Sequence, residues 1–423
     1  MAQAQGLIDV HTHAVPEALP RCAGRHLADS GPQMAPALAC HRHMMLSGKV
    51  YRTVSHPCWS CTLRLAEMNA RAVARQVLSP MPELLSHWLP VEDGSAMCRD
   101  LNEVIAAMVA EAPARFHGLG AVPPQDVDRA IHALDQAVHT LGLAGVEIGT
   151  HVGAVAIGDA RFLPFFEAVA AFGAAVFVHP LRPGGMDRLV GPPALEQVLA
   201  FPNETGLAAA SMITGCTLAR LPNLRIAFSH GGGSLQALLP RLRHAWRCLP
   251  PRRDALADDP LLLAQRLYCD DLVYDAATIH RLVEVFGASQ VMAGTDYPFA
   301  IMDDDPAGRI ASLQLTPEQA QQLRCGNAER WLGQAPQGPP RPLHKMTPAP
   351  PAPPASPATR SRRSRPSPRP RPHCSSRAAR AAASRRSRPA TGCKSWKPWT
   401  RWPKSTPAPG SPKAGAASAR KSA

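Results

Sequence analysis

The segment Leu7-Ile8-Asp9-Val10-His11-Thr12-His13 is the natural starting point for interpreting this chain. A short apolar run leads into two histidines that are two residues apart. Because successive side chains of a strand point to opposite faces, His11 and His13 share one face and can reach the same point. Two imidazoles that converge in this way are typical ligands of a transition metal. On this segment alone, polar residues that merely end a strand remain an equal alternative.

The rest of the chain to about residue 333 alternates apolar runs with helical periodicity. About eight strands alternating with helices predict an α/β fold, and specifically a (β/α)8 TIM-like barrel, although a doubly wound open sheet alternates similarly. A small N-terminal insertion, about residues 16–58, interrupts the pattern and contains one strand of a possible hairpin at 49–54. The other predicted strands are 75–79, 116–122, 145–149, 175–180, 224–230, 272–275 and 291–296.

Polar residues stand at the ends of three later predicted strands, namely His179, His230 and Asp296. In a barrel the carboxyl ends of all strands meet at one rim, where active sites are built, and this favours the barrel over the open sheet. Neutral imidazoles with one carboxylate suit zinc or a similar divalent ion. A single such histidine is more often a hydrogen-bonding group, and Asp296 could only start a turn. Together with the first pair, however, five matching positions favour a metal site.

Four segments resemble the amidohydrolase-superfamily branch of aminocarboxymuconate-semialdehyde decarboxylase and its relatives, over about residues 7–333. They are Ile8-Asp9-Val10-His11-Thr12-His13, Phe177-Val178-His179-Pro180, Phe228-Ser229-His230-Gly231-Gly232-Gly233 and Gly294-Thr295-Asp296-Tyr297-Pro298-Phe299. The resemblance implies that one divalent ion, zinc first, is held by His11, His13, His179 and Asp296. It also implies that His230 is the acid/base group beside the ion, with Asp296 in the catalytic centre. No lysine that could bridge two ions occurs in 145–152, which agrees with one ion.

The same resemblance implies that two arginines bind a small carboxylic acid. Arg52 matches one of them, and Arg241 matches one that comes from the neighbouring subunit, so a homodimer is expected. Guanidinium groups pair with carboxylates through two parallel hydrogen bonds, which is the physical reason for arginine at both places. Each also has a simpler interpretation, as a solvated strand arginine and as a helix-surface charge.

The activity that the resemblance implies is non-oxidative decarboxylation of an unsaturated or aromatic acid. A hydrolase or hydratase on the same scaffold is the alternative. The branch carries tryptophans after its His-Pro pair, whereas here no tryptophan lies between His179 and His230. Arg182 or Arg188 could contact a carboxylate there instead, or could face water. The C-x-x-C spacing of Cys58 and Cys61 is interpreted as accidental rather than as a redox pair.

The charge of the chain is divided unevenly. Residues 334–423 hold 20 of the 46 Lys and Arg and none of the 32 Asp and Glu, which leaves a net charge of −6 on residues 1–333. This Pro-, Arg-, Ser- and Ala-rich tail cannot bury enough apolar surface to order itself, so the domain is expected to end at Gly333. The tail is either a basic arm for nucleic acid or an acidic partner, or a frame-shifted extension without function, and the second is favoured.

Neither a membrane span nor a signal peptide is predicted, because no long apolar run or basic leader occurs. The 11 cysteines lack the spacing of a disulfide framework, which suits a cytoplasmic protein. A nucleic-acid-binding protein with an inactive barrel is the alternative from another class. Retention of all five site residues argues against it.

Overall fold

The computed structural model describes residues 6–19, 31–192, 194–249 and 256–334. Within them, eight parallel strands follow one another in chain order around one sheet, which confirms the predicted barrel. They are β1 Leu7–Ala14, β2 Val73–Pro80, β3 Phe116–Ala121, β4 Gly145–Gly149, β5 Ala175–His179, β6 Arg225–Phe228, β7 Tyr268–Asp270 and β8 Val291–Met292.

The sheet closes between its first and last strands. The backbone N–H of Val10 donates to the carbonyl of Ala293 at 2.9 Å, and that of Asp296 donates to the carbonyl of His11, also at 2.9 Å. Closure brings the C-terminal end of β1 next to the segment that follows β8. Residues almost 300 positions apart in the sequence therefore become neighbours at one rim of the barrel.

The helices pack outside the strands, so each strand is covered on both faces and is apolar almost throughout. The described helices are α1 Cys61–Ala70, α2 Val91–Glu111, α3 Val127–Asp135, α4 Leu163–Phe172, α5 Phe201–Thr214, α6 Thr217–Arg220, α7 Leu235–Cys248, α8 Pro260–Ala264, α9 Ala276–Phe286, α10 Pro306–Ser312, α11 Pro317–Gln321 and α12 Asn327–Trp331. None of the helices in these residues is long and apolar enough to cross a membrane.

A bulge in β1 sets the direction of the two leading histidines. Asp9 of β1 pairs with Gln76 of β2, and Thr12 pairs with Leu78. Two residues lie between the pairs on β1 but only one on β2, so β1 holds one extra residue here. Ile8 and Val10 pack into the barrel interior, and within the bulged segment the ring of His11 also points inward, against Phe177. The extra residue thus lets an apolar strand end in two inward-facing imidazoles.

The described part of the insertion forms an antiparallel sheet of three strands, Gln33–Pro36, His41–Leu46 and Lys49–Ser55. The predicted hairpin therefore exists, with one more strand than expected. Residues 20–30 of the insertion, and residues 335–423 of the predicted tail, lie outside the described residues. This small sheet carries Arg52, which lies beside the cavity described below.

One predicted strand is wrong in position. The sequence predicted a strand at 272–275, but β7 spans Tyr268–Asp270, and Asp275 is the N-cap of α9, where its side chain accepts from the backbone N–H of Thr278. The apolar pair Leu272-Val273 suggested a strand, whereas both residues follow the strand end. The error matters, because it hid a polar residue at the end of β7.

Candidate metal centre

The four predicted ligands come together at the C-terminal rim of the barrel. One ligand atom from each of them lies within 4.8 Å of those of the others, and all four residues are buried: His11, His13, His179 and Asp296. The three imidazole rings are mutually 5.1 Å apart between centroids. β1 supplies the first pair, β5 ends at His179, and Asp296 follows β8.

The Nδ1 atom of each of the three clustered histidines already has a partner. Nδ1 of His13 lies 3.1 Å from the carbonyl of Pro80, and Nδ1 of His179 lies 2.9 Å from that of Pro180. A carbonyl can only accept, so both Nδ1 atoms carry the proton and both Nε2 atoms present a lone pair. Nδ1 of His11 lies 2.7 Å from Oδ2 of Asp270. Such outer partners orient the histidines of metal sites and raise their basicity.

The Nε2 atoms of these three histidines have no hydrogen-bond partner among the described residues. Nε2 of His13 lies 3.0 Å from Oδ1 of Asp296 but lacks the alignment of a hydrogen bond. Buried, unpartnered nitrogens are costly unless something binds them. Three imidazole nitrogens and one carboxylate oxygen fit a divalent transition metal, so these residues are suited to hold one.

The electrostatics of the cluster favour a cation. Burial alone would raise the pKa of Asp296, but the close His13 and His11 lower it to about 2, so it remains a carboxylate. Burial lowers the pKa of His11, yet the contact with Asp270 and the charge of Asp296 outweigh it and raise the pKa to about 9. Burial and the neighbouring histidines hold the pKa of His179 well below its usual value, so its imidazole is neutral.

Asp270 is the residue of this centre that the sequence analysis missed. Its Oδ2 accepts from the backbone N–H of His230 at 3.0 Å as well as contacting His11, and its Oδ1 accepts from the N–H of Gly231 at 2.8 Å. It therefore joins the first histidine pair to the glycine-rich turn. A correct position for β7 would have placed Asp270 at a strand end, which is the signal that pointed to the four clustered residues.

His230 lies beside the four ligands, with its ring centroid 5.1 Å from that of His179 and 5.4 Å from that of His11. Its φ of 55° is in the left-handed region, which is uncommon for residues other than glycine and costs backbone strain. The turn needs its glycines, since a Cβ at Gly233 would lie 2.0 Å from the carbonyl oxygen of Pro202. Burial, and then His11, lower the pKa of His230 to about 4, so its imidazole is neutral.

A cavity of about 520 Å³ opens on the centre, and His179, His230 and Asp296 contribute to its wall. Arg52 lines the same cavity. Its guanidinium lies 4.2 Å from the centroid of the Phe299 ring, and that ring stacks on His13 with centroids 5.0 Å apart. Arg52 is thus separated from the metal centre by the thickness of one aromatic ring.

The other predicted side chains lie elsewhere. Arg241 is exposed on α7 and does not line the cavity. Arg182 stacks on the Trp88 ring at 3.5 Å, and Arg188 ends an exposed turn. Cys58 and Cys61 are free thiols, and burial raises the pKa of Cys58 to about 11, which makes it a poor redox group.

Comparisons with known proteins agree with this geometry. The chain matches the family described as amidohydrolase over residues 8–334. It is 34% identical over 333 residues to 2-amino-3-carboxymuconate-6-semialdehyde decarboxylase of Dictyostelium discoideum, covering 78% of this chain and 92% of that protein.

Two solved structures share the fold. One is 5-carboxyvanillate decarboxylase of Sphingomonas paucimobilis, with a TM-score of 0.64 and 24% identity over 77% of this chain and 98% of that one. The other is a dihydroxybenzoic acid decarboxylase of Polaromonas with bound manganese and an inhibitor. Its TM-score is 0.61 and its identity 20%, over 78% of this chain and 97% of that one.

Proposed function

The chain belongs to the amidohydrolase family, and from that premise we propose that it is a metal-dependent, non-oxidative decarboxylase of an unsaturated or aromatic carboxylic acid. It is a carboxy-lyase similar to 2-amino-3-carboxymuconate-6-semialdehyde decarboxylase. The observation that carries the proposal is one cavity that joins a buried His3Asp cluster, a neutral His230 and Arg52.

The reaction breaks the bond between the carboxylate and its carbon, releases carbon dioxide, and leaves an electron pair that must take up a proton. His230 faces the cavity as a neutral imidazole, so it can accept a proton and deliver it to that carbon. The bound ion would supply Lewis-acid stabilisation of the negative charge that builds up in the conjugated system. Asp296 serves this centre as a ligand that stays ionised.

Arg52 is proposed to bind a carboxylate of the substrate. It has no ion-pair partner among the described residues, and its guanidinium lies over Phe299 at the cavity wall. A guanidinium held in this way presents two parallel donors to a carboxylate and fixes the orientation of the acid. Phe299, which lies between Arg52 and His13, fixes the position of the guanidinium relative to the metal centre.

We propose zinc as the ion. A His3Asp donor set with nitrogen ligands in the majority suits zinc, while the Polaromonas relative with the same fold binds manganese. Elemental analysis of the purified protein distinguishes the two. Its expected result is one zinc per chain, and one manganese per chain would correct the ion without changing the centre.

A homodimer in which Arg241 reaches the partner's cavity is also proposed. Arg241 is exposed in one chain and lies outside the cavity lining, so it could act only across a subunit boundary. The test is Arg241→Ala, with turnover and molecular mass in solution as readouts. Unchanged turnover in an unchanged dimer would contradict the proposed role.

Residues 1–333 are proposed to be the catalytic unit, with 334–423 contributing nothing to turnover. The family match ends at residue 334, and the last described helix ends at Trp331. A chain that ends at Gly333 is expected to keep the activity of the full chain. A reducing compartment such as the cytoplasm is proposed for the enzyme, because the buried cysteines Cys58, Cys61, Cys98 and Cys269 are free thiols.

The proposed activity is tested with the full-length protein by measuring carbon dioxide release from 2-amino-3-carboxymuconate 6-semialdehyde, 5-carboxyvanillate and 2,6-dihydroxybenzoate. Release that stops after treatment with a chelator and returns with a divalent ion supports the proposal. A stoichiometric ion without carbon dioxide from any of these acids would favour a hydrolase or hydratase. A folded protein that binds no ion would contradict the metal centre itself.

A further inference from the structure

A carboxyl group without a role in the proposed reaction lies in the cavity wall. Glu83 is only 3% exposed, and it belongs to the short turn Pro82–Leu85 that follows β2. It lines the same cavity as Arg52, His179 and His230. The cavity therefore presents a buried carboxyl as well as a guanidinium to its contents.

The hydrogen bonding of Glu83 is incomplete. The hydroxyl of Tyr51 donates to Oε1 of Glu83, whereas Oε2 has no hydrogen-bond partner among the described residues. Among the described residues Glu83 also forms no ion pair with Arg52, which follows Tyr51 in the sequence. Oε2 is not among the fully buried unpartnered atoms of the described residues, so this acceptor is open to the cavity and available to whatever binds there.

Arg52 and Glu83 have complementary hydrogen-bonding capacity that is unused within the protein. The guanidinium of Arg52 has no acceptor and Oε2 of Glu83 has no donor among the described residues, although both residues line one cavity. A carboxylate alone would satisfy Arg52 and leave Oε2 of Glu83 unpaired. An acid that also bears a hydroxyl or amino group would satisfy both.

We propose that Glu83 determines substrate specificity by accepting a hydrogen bond from a hydroxyl or amino substituent of the acid whose carboxylate Arg52 binds. This inference rests on the proposed function, since it assigns the substituent of the same substrate. Sites built to hydrogen-bond a substituent reject analogues that lack the donor, because the buried partner is then left unpaired. Glu83 would thus exclude acids with an ether or a hydrogen at that position.

The replacement Glu83→Gln tests this inference without a change of size. Tyr51 still needs an acceptor, so the amide oxygen of Gln turns toward its hydroxyl and the amide NH2 faces the cavity. The cavity then presents a donor where it had presented an acceptor. Removing the Tyr51 hydroxyl as well frees the amide oxygen to turn back toward the cavity.

The probes are 5-hydroxyisophthalate and 5-methoxyisophthalate, whose dissociation constants are measured with the metal-loaded full chain. Each has two carboxylates, and a hydroxyl meta to both does not activate either for loss of carbon dioxide. The wild type is expected to bind the hydroxy acid about tenfold tighter than the methoxy acid, the loss expected when one hydrogen bond to a buried group cannot form. The preference is expressed as the dissociation constant of the methoxy acid divided by that of the hydroxy acid. E83Q is expected to reduce this ratio to about one or below. The double variant E83Q with Tyr51→Phe is expected to recover part of it.

Glu196→Gln is the matched control. Glu196 interacts electrostatically with Glu83 and Arg52 but does not line the cavity, so E196Q removes a nearby carboxyl without changing the polarity of the wall. The ratio of the two dissociation constants in E196Q should equal that of the wild type. An equal loss in E196Q and E83Q would show a general effect of charge and overturn the inference.

A wild type that binds the two probes equally, or binds neither, would also overturn it. These outcomes are separate from failure of the proposed function, because binding is measured without turnover. Carbon dioxide release with no hydroxyl preference would leave a decarboxylase whose Glu83 has no role in specificity.

Discussion

Oδ2 of Asp270 lies 2.7 Å from Nδ1 of His11, and the same oxygen accepts the backbone N–H of His230 at 3.0 Å. One buried carboxylate therefore positions a predicted metal ligand and the predicted acid/base residue together. Asp270 reaches neither the cavity nor the site of the ion directly. Its effect must pass through the two histidines, which makes it a positioning residue.

Asp270→Asn is expected to weaken metal binding by about 10- to 100-fold, the usual cost of losing an outer partner of a ligating histidine. The amide keeps the size of the side chain but cannot supply the negative charge that raises the basicity of His11. The measurement is competition for the ion with a chelator of known affinity. Asp275→Asn, at the exposed N-cap of α9, is the control and should keep wild-type affinity. Equal affinities of D270N and the wild type would contradict the role of Asp270.

His230→Gln is expected to lower kcat by about 10²- to 10⁴-fold, the usual contribution of general acid–base catalysis. The ion should remain bound at one per chain, because His230 is not among the four clustered ligands. Turnover and elemental analysis of the same sample separate the two effects. His139→Gln on the protein surface serves as the histidine control. Loss of the ion from H230Q would instead assign His230 to the metal.

Arg52→Lys is expected to raise KM by about tenfold or more, because an ammonium cannot form the two parallel hydrogen bonds of a guanidinium. Stacking on Phe299 is lost at the same time. Steady-state kinetics with the acid that releases carbon dioxide fastest provide the measurement. Arg42→Lys, on the adjacent strand of the insertion and paired with Glu17 at 2.5 Å, should leave KM unchanged. A KM of R52K within twofold of the wild type would place the carboxylate elsewhere.

Glu147→Gln is expected to make the chelator-treated protein more stable than the wild type, by a difference that grows as the pH rises. Glu147 is fully buried on β4, and burial raises its pKa from 4.5 to about 8, with nearby Ser79 and His11 offsetting only part of that. Below pH 4.5 the carboxyl is protonated in both the folded and the unfolded state. Between pH 4.5 and about pH 8 the carboxyl ionises only on unfolding, so the free energy of unfolding of the wild type falls as the pH rises. A glutamine cannot ionise, so E147Q does not show this decrease.

The advantage of E147Q should grow from near zero at pH 4.5 to at most about 4 kcal/mol at pH 8, by the usual conversion of a pKa shift. Urea unfolding at several pH values measures it. Glu167→Gln, on the exposed face of α4, is the control and should show no such trend. An advantage of E147Q that stays constant with pH would mean that Glu147 is already ionised in the folded protein.

Much of the fold was predictable because barrel strands are buried on both faces and read as short apolar runs. The prediction failed at β7, where the three residues Tyr268–Asp270 form the strand and the apolar pair Leu272-Val273 lies beyond it. Such a short strand is defined by pairing with its neighbours rather than by its own composition. With β7 misplaced, Asp270 could not be recognised as a residue at a strand end.

The sequence by itself determined the alternation of strands and helices and five candidate residues at strand ends, because both depend on local patterns: apolar runs, and polar residues at the ends of those runs. Only the tertiary structure decided which groups share the cavity. Asp270 joining His11 to His230, Arg52 above Phe299, and Glu83 paired to Tyr51 are contacts between distant segments. They depend on barrel closure and on where the insertion sheet packs, and no local pattern encodes the distance between residues brought together in that way.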